Sequence, residues 1–440
     1  MPQLSRRGLL RVGALGAGLA AVSAMSGCAT PLAGGVPIDV RDPGSPATSR
    51  DGASPPSSAA PEPIGDGSTA RTGPQPHQPT PARLDIGTVP PQFVVVSWDG
   101  AAELPSGLLS RFRRVAQEVG GAMTLFLSGI YVIPEAHQKA YRPPRRPAGT
   151  SDISFLTEAS VRRTIVGIGE AWREGHEIGT HFNGHFCGPR GVAAFSEADW
   201  RAEIDEAYRL VSTWRSITGM TDLPALPFDY RAELVGSRTP CLEGRRRLLP
   251  VAKEMGWRYD SSGTRRQTWP DRDEHGLWDV SMATIPLGHR EVLSMDYNFM
   301  VQFCKGNPSA GTAAERATWR ARTRDALLAG FDRAYAGNRA PLILGNHFEQ
   351  WNGGIYMDAV EDAIREMAAK PGVRFVSFRQ LIDWLEAQDS ATLAALQRLD
   401  VGRAPRGGWA GLGAGPGAGS ATAPSDQAGR SASKSTTTSS

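Results

Sequence analysis

Short apolar runs alternate along the chain with longer stretches in which apolar residues recur every three or four positions. Residues 93–97, ending at Ser97, form a continuous apolar run, as expected of a strand buried on both faces. Over residues 104–119, Leu108, Leu109, Phe112, Val115 and Ala116 form a helical stripe. A second strand is predicted over 123–127, a helix over 161–172 and a short third strand at Ile178-Gly179-Thr180. Ser196-Glu197-Ala198-Asp199 has the form of a helix-capping signature, followed by Trp200, Ile204, Ala207, Tyr208 and Val211 at helical spacing. Further helices are predicted over 244–255, 313–335, 357–369 and 378–385, with strands at 342–345 and 375–376.

Strand and helix alternate throughout, which argues for an α/β fold of parallel strands with helices packed outside. Periodicity alone is compatible with a barrel or an open sheet. Two stretches interrupt the alternation. Residues 130–151 contain Tyr141-Arg142-Pro143-Pro144-Arg145-Arg146-Pro147, and residues 265–312 contain Trp269, Trp278, His289 and Ser294-Met295-Asp296-Tyr297-Asn298-Phe299. Both read as insertions at the mouth of a site. Their arginines would suit carboxylates or phosphates and their tryptophans sugar rings, or the tryptophans are simply packing.

The composition changes at both ends. Ser5-Arg6-Arg7-Gly8-Leu9-Leu10-Arg11 has a twin-arginine export pattern. The apolar stretch that follows is too short for a membrane span, and it runs into Met25-Ser26-Gly27-Cys28, which resembles a lipoprotein cleavage box. Residues 1–28 are therefore read as an export signal and Cys28 as the site of a membrane-anchoring lipid. Residues 29–90 are rich in Pro, Gly, Ser and Thr and predict a flexible tether; residues 403–440 predict a disordered tail. The remaining domain spans 91–390. A formal net charge of +3 over 440 residues gives no electrostatic case for nucleic-acid binding. Beyond Cys28 there are three cysteines, Cys187, Cys241 and Cys304, so at most one disulfide forms among them. Cys187 with Cys241 is the plausible pair, because each lies beside a candidate motif. No Cys-x-x-Cys spacing suggests a cysteine zinc site, and no Gly-x-Ser-x-Gly elbow suggests a serine hydrolase.

The candidate chemistry centres on Glu174-Gly175-His176-Glu177-Ile178-Gly179-Thr180-His181-Phe182-Asn183-Gly184-His185. His181 and His185 are four positions apart and could share a cation from one turn, although Gly184 favours a loop over a regular helix. Around them stand Asp99-Gly100 after the first strand, Ser237-Arg238-Thr239-Pro240, Tyr259-Asp260-Ser261-Ser262, and Asn346-His347 after a late strand. In order and spacing these motifs resemble the polysaccharide deacetylases, the NodB-homology or carbohydrate esterase family 4 group, over roughly residues 92–388.

That resemblance implies a distorted, incomplete (β/α) barrel with its site at the C-terminal ends of the strands. It also implies a divalent metal, zinc by preference, held by His181, His185 and an aspartate. Arg238 matches the arginine that orients the catalytic aspartate, and His347 matches the general-acid histidine. Where the family has Asp-Asp, this chain has Asp99-Gly100. Aligned without a gap, which also matches Ser97 and Trp98, Asp99 is the base and the aspartate ligand is missing. Shifted by one residue, Asp99 is the ligand. Asp296, Asp260 or Glu103 could supply the missing carboxylate, with Asp296 the most interesting substitute. Two functions follow as expectations. One is removal of N- or O-acetyl groups from an envelope polysaccharide or peptidoglycan; the other is glycan binding by a catalytically inactive relative.

Overall fold

The computed structural model describes residues 60–85 and 87–412. The expected signal over 1–28, the lipid site at Cys28, the tether over 29–59 and the tail beyond 412 lie outside the described residues. Among the described residues, no helix is long and apolar enough to cross a membrane.

The chain enters as a small antiparallel hairpin, β1 (Glu62–Ile64) and β2 (Thr69–Arg71). Its composition predicts a tether, but residues 60–85 are laid against the domain. Ala70 N–H donates to the Leu226 carbonyl at 2.8 Å, and Trp214 Nε1 donates to the Ser68 carbonyl at 2.9 Å. The Gln75 amide donates to the carbonyls of Trp172 and His176 at 3.0 and 2.8 Å. Hydrogen bonds of the backbone and of polar side chains hold this segment. Its own apolar surface does little, which is why an argument from hydrophobicity misses it.

The main strands follow in chain order as β3 (Gln92–Asp99), β4 (Thr124–Leu127), β5 (Glu177–Thr180), β6 (Gly236–Ser237) and β7 (Tyr259–Asp260). The short strands β8 (Thr264–Arg266) and β9 (Asp271–Arg272) come next, then β10 (Trp278–Asp279), β11 (Met282–Leu287) and β12 (Arg290–Leu293). The last two strands are β13 (Leu342–Asn346) and β14 (Val373–Phe375). The helices are α1 (Leu108–Glu118), α2 (Glu158–Arg173), α3 (Glu197–Ser212), α4 (Trp214–Thr218), α5 (Tyr230–Glu233) and α6 (Arg245–Glu254). They continue as α7 (Asp296–Cys304), α8 (Ala313–Ala336), α9 (Trp351–Ala368), α10 (Phe378–Ala387) and α11 (Ser390–Gln397).

The large sheet runs β13-β3-β4-β5-β6-β7-β10-β9, with β14 also paired to β3. Every pairing in it is parallel except β10 with β9. Strands succeed one another in sequence order and a late strand lies beside the first. That is the order of a β/α barrel; a doubly wound sheet reverses order at a switch point. The sheet does not close on itself, since β9 and β13 are its ends. A second sheet, β12-β11-β8, stands next to β13, and a bridge joins Met295 to Gly345. The fold is thus the distorted, incomplete barrel.

Alternation along β3 shows why its sequence is apolar throughout. Val94, Val96 and Trp98 join the core beneath the helices, while Phe93 and Val95 join a second core inside the curl. That inner core is closed from below by Phe378, Leu381, Trp384 and Leu385 of α10. The capping box at Ser196 and Asp199 forms as expected. Helix α1 starts at Leu108, four residues later than its pattern, because Gly107 at φ 69° turns the chain immediately before it.

Neither interrupting stretch is a simple rim. Residues 265–312 build most of the second sheet and α7. Trp269 and Trp278 are 1% and 2% exposed. Trp269 stacks on Trp384 at 5.5 Å and donates to the Asn338 carbonyl, while Trp278 donates to Glu386. Both are packing residues, so the sugar-stacking reading fails for them. In residues 130–151, Arg145 pairs with Asp199 and Arg146 lies over the Phe186 ring.

Candidate active site

Four strands deliver the polar groups. Asp99 is the last residue of β3, and its carboxylate is 5% exposed. Arg238, immediately after β6, is fully buried and donates from Nη1 to Asp99 Oδ1 at 2.8 Å and to Ser97 Oγ at 2.9 Å. The other face of the guanidinium is fixed by Ser261, through its hydroxyl at 2.8 Å and its carbonyl at 3.2 Å. The Phe126 ring lies under it at 4.8 Å. A charge this deep is tolerated because its donors are met and its counter-charge is adjacent. Burial alone would raise the pKa of Asp99. The charges of Arg238, His181 and His347 outweigh that and hold it below the ordinary carboxylate value, so Asp99 is an anion at neutral pH.

His181 follows β5. Its backbone N–H donates to the Leu127 carbonyl, and its Nδ1 is 2.8 Å from the Arg238 carbonyl. A carbonyl only accepts, so Nδ1 carries the proton and Nε2 keeps its lone pair. Burial pushes His181 down to about 4, against the raising pull of Asp99, so the ring is neutral at physiological pH. The His185 ring is 5.0 Å away, centre to centre.

The histidine loop is shaped by Glu203, which sits on the buried face of α3. Its carboxylate accepts from the N–H groups of Asn183 and Gly184 and from the Tyr141 hydroxyl, and its carbonyl accepts from the Asn183 amide. Burial pushes Glu203 up to about 7, although these donors pull the other way. Glycine is required at 184, where a Cβ would approach the Phe186 ring to 2.6 Å and the Tyr141 hydroxyl to 2.8 Å. Phe182 and His185 both take left-handed backbone, at φ 60° and 51°, a strain often kept at functional loops.

His347 follows β13. Its backbone N–H donates to Asp296 Oδ2 at 2.7 Å, and its Nδ1 lies 2.8 Å from Asp296 Oδ1. The carboxylate therefore fixes the Nδ1–H tautomer. Asp296 opens α7, beside the Met295–Gly345 bridge that ties the second sheet to β13.

Asp99, His181, His185 and His347 line one cavity of about 170 Å³, together with Thr239, Cys241, Met295 and Tyr297 among others. Cys187 and Cys241 are joined by a disulfide in its wall. Arg238 stands behind the cavity and acts through Asp99. The candidate substitute carboxylates are engaged elsewhere. Asp296 holds His347, Asp260 pairs with Arg245 and Ser262, and Glu103 accepts from Ser110.

The imidazoles of His181 and His185 fit a divalent cation such as zinc by donor chemistry. Among the described residues, a third protein ligand does not complete the set. Among the described residues, the donor atoms of Asp99, His181 and His185 do not come within 4.8 Å of one another. A Cβ at Gly100 would rest against Tyr131 and Ser128, which lie outside the cavity lining.

Sequence reasoning named the groups in the cavity but not two of their supports. Asp296 was legible as a polar group in an aromatic insertion, without its link to His347. Glu203 has a readable signal, a charge between Trp200 and Ile204 on an otherwise apolar stripe.

No family model matches the sequence, and no curated protein matches it. Solved structures do resemble the fold. A candidate polysaccharide deacetylase from Mycobacterium smegmatis matches with 17% identity over 70% of this chain and 95% of its own, at a TM-score of 0.43. A family 4 carbohydrate esterase from Streptomyces lividans, in complex with acetate, matches with 12% identity over 64% and 91%, at 0.33. A family 4 pseudoenzyme from Bacillus anthracis matches with 12% identity over 71% of each chain, at 0.35. Likenesses this distant carry no weight for activity.

Proposed function

We propose that the chain is an exported, metal-dependent hydrolase that removes N- or O-acetyl groups from an envelope polysaccharide or peptidoglycan, tethered to the membrane by a lipid on Cys28. One observation carries the reading. An anionic Asp99 held by Arg238 and a His347 held by Asp296 face the same cavity as the His181 and His185 pair. This is the polar inventory of a polysaccharide deacetylase, which the motif order also resembles.

Asp99 supplies the base. Arg238 engages one carboxylate oxygen and leaves the other to take a proton from an attacking water. His347 supplies the acid. Asp296 fixes its Nδ1–H and stabilises the imidazolium, so Nε2 can deliver a proton to the departing amine or alkoxide. His181, turned by the Arg238 carbonyl, offers Nε2 with His185 as the metal-holding pair. A cation bound there would polarise the acyl carbonyl and lower the pKa of its water to about 7. Tethering of Asp99 by Arg238 favours the base role over the ligand role. Acetate release from cell-wall glycans by the zinc-loaded protein tests the reading; no release from either N- or O-acetylated glycans would reject it.

A second reading has its own support. With Gly100 after Asp99 and, among the described residues, no third ligand completing the histidine pair, the chain would bind glycan without cleaving it. Glycan affinity without acetate release would select that reading.

A further inference from the structure

We propose that the disulfide in the cavity wall masks a second metal site, made of Cys187, Cys241 and His185 and open only when the disulfide is reduced. Among the described residues, these three bring one donor atom each within 4.8 Å of one another. Cys187 Sγ is 3.6 Å from His185 Nδ1. The fold holds the three together from two directions. His185 and Cys187 share the loop after β5, whereas Cys241 lies after β6 in a left-handed turn at φ 57°. The disulfide bridges 54 residues, so its two ends are brought together by parallel neighbouring strands. All three residues are half-buried, and His185 and Cys241 line the cavity.

The chemistry balances. A dithiol reductant transfers two electrons and two protons to the Cys187–Cys241 bond and leaves as a cyclic disulfide. Two thiols result. A thiophilic divalent cation, such as zinc, then displaces the two thiol protons and takes two thiolates with the His185 imidazole, a donor set suited to it. A disulfide oxidant reverses both steps: it takes two electrons from the two thiolates, leaves as two thiols, and the re-formed Cys187–Cys241 bond expels the cation. The site needs only this geometry. Its consequence rests on the deacetylase reading: His185 would be drawn from His181, so reduction would silence the hydrolase and oxidation would switch it on.

The test uses the full chain carrying Cys28→Ser and Cys304→Ser, in which Cys187 and Cys241 are the remaining cysteines. Cobalt(II) is titrated into protein reduced with a phosphine and into oxidised protein, and the thiolate-to-cobalt charge-transfer band is read. The expected result is a band in the reduced protein that saturates near one cobalt per chain, and loss of the band on reoxidation. Adding Cys241→Ser should weaken or abolish it. Absence of the band in folded, reduced protein would overturn the proposal. So would unfolding on reduction, checked by circular dichroism, because the three donors would then not be held together. An undiminished band in the Cys241→Ser variant would also overturn it. Acetate release by the oxidised protein is measured separately, so failure of the hydrolase reading leaves the cobalt result standing on its own.

Discussion

Replacing Glu203 with Gln should change how stability depends on pH while leaving the histidine loop in place. Glutamine keeps an oxygen for the N–H groups of Asn183 and Gly184, and its amide can donate to the Tyr141 hydroxyl. What it removes is titration. Burial raises Glu203 from an ordinary 4.5 to about 7. The folded chain therefore favours the protonated acid. Its contribution is fully present below pH 4.5 and is lost as pH rises through about 7. The interval corresponds to about 3 kcal/mol, at 1.36 kcal/mol for each tenfold change. Urea unfolding of wild type and Glu203→Gln across pH 4 to 8 reads the difference directly. Near the acid end the two should differ little from one another in their pH slope. By neutral pH the variant should have gained about 3 kcal/mol relative to wild type. The comparison cancels the other raised carboxylates, Glu233, Asp260 and Glu349, which are present in both proteins. A stability difference that stays constant from pH 4 to 8 would refute the reasoning.

Three further outcomes are expected. Asp296→Asn should lower turnover by roughly 10²–10⁴ and move the alkaline limb of the pH–rate profile to lower pH, with the melting temperature little changed, because the carboxylate that stabilises the imidazolium is lost and an amide can hold the wrong tautomer of His347. A loss of turnover matched by a loss of fold would contradict this. Limited proteolysis should leave a resistant fragment beginning near residue 60, since β1, β2 and Gln75 are bonded to the domain; early cutting over 65–90 would count against it. Cys28→Ala should release the protein from the membrane fraction, and unchanged membrane association would remove the lipid anchor.

Much of the barrel was legible because its strands are buried on both faces. The apolar run ending at Ser97 and the one before Asn346 each mark a strand, and each ends on a cavity residue or its neighbour. The cavity groups were legible for a related reason, since strand ends in such a fold converge on one face. Residues 265–312 were not, because β8, β9 and β10 are two or three residues long and lack a readable period. For Trp269 and Trp278 the sequence left sugar stacking and packing both open, because α10, which helps to cover them, comes from distant sequence. The hairpin over 60–71 was hidden for the opposite reason. Its stability comes from backbone partners, which composition does not record. Glu203 shows a third case, in which a buried charge breaks an apolar stripe because a loop elsewhere needs an acceptor.

Zinc titration combined with acetate release, in wild type, Asp99→Asn and His181→Ala, tests the role of Asp99 most directly. With Asp99 as the base, Asp99→Asn should bind zinc as wild type does and lose roughly 10²–10⁴ in rate, while His181→Ala should lose the metal itself. Loss of zinc in Asp99→Asn to the extent seen in His181→Ala would make Asp99 a ligand, and full activity in Asp99→Asn would remove it from the chemistry altogether.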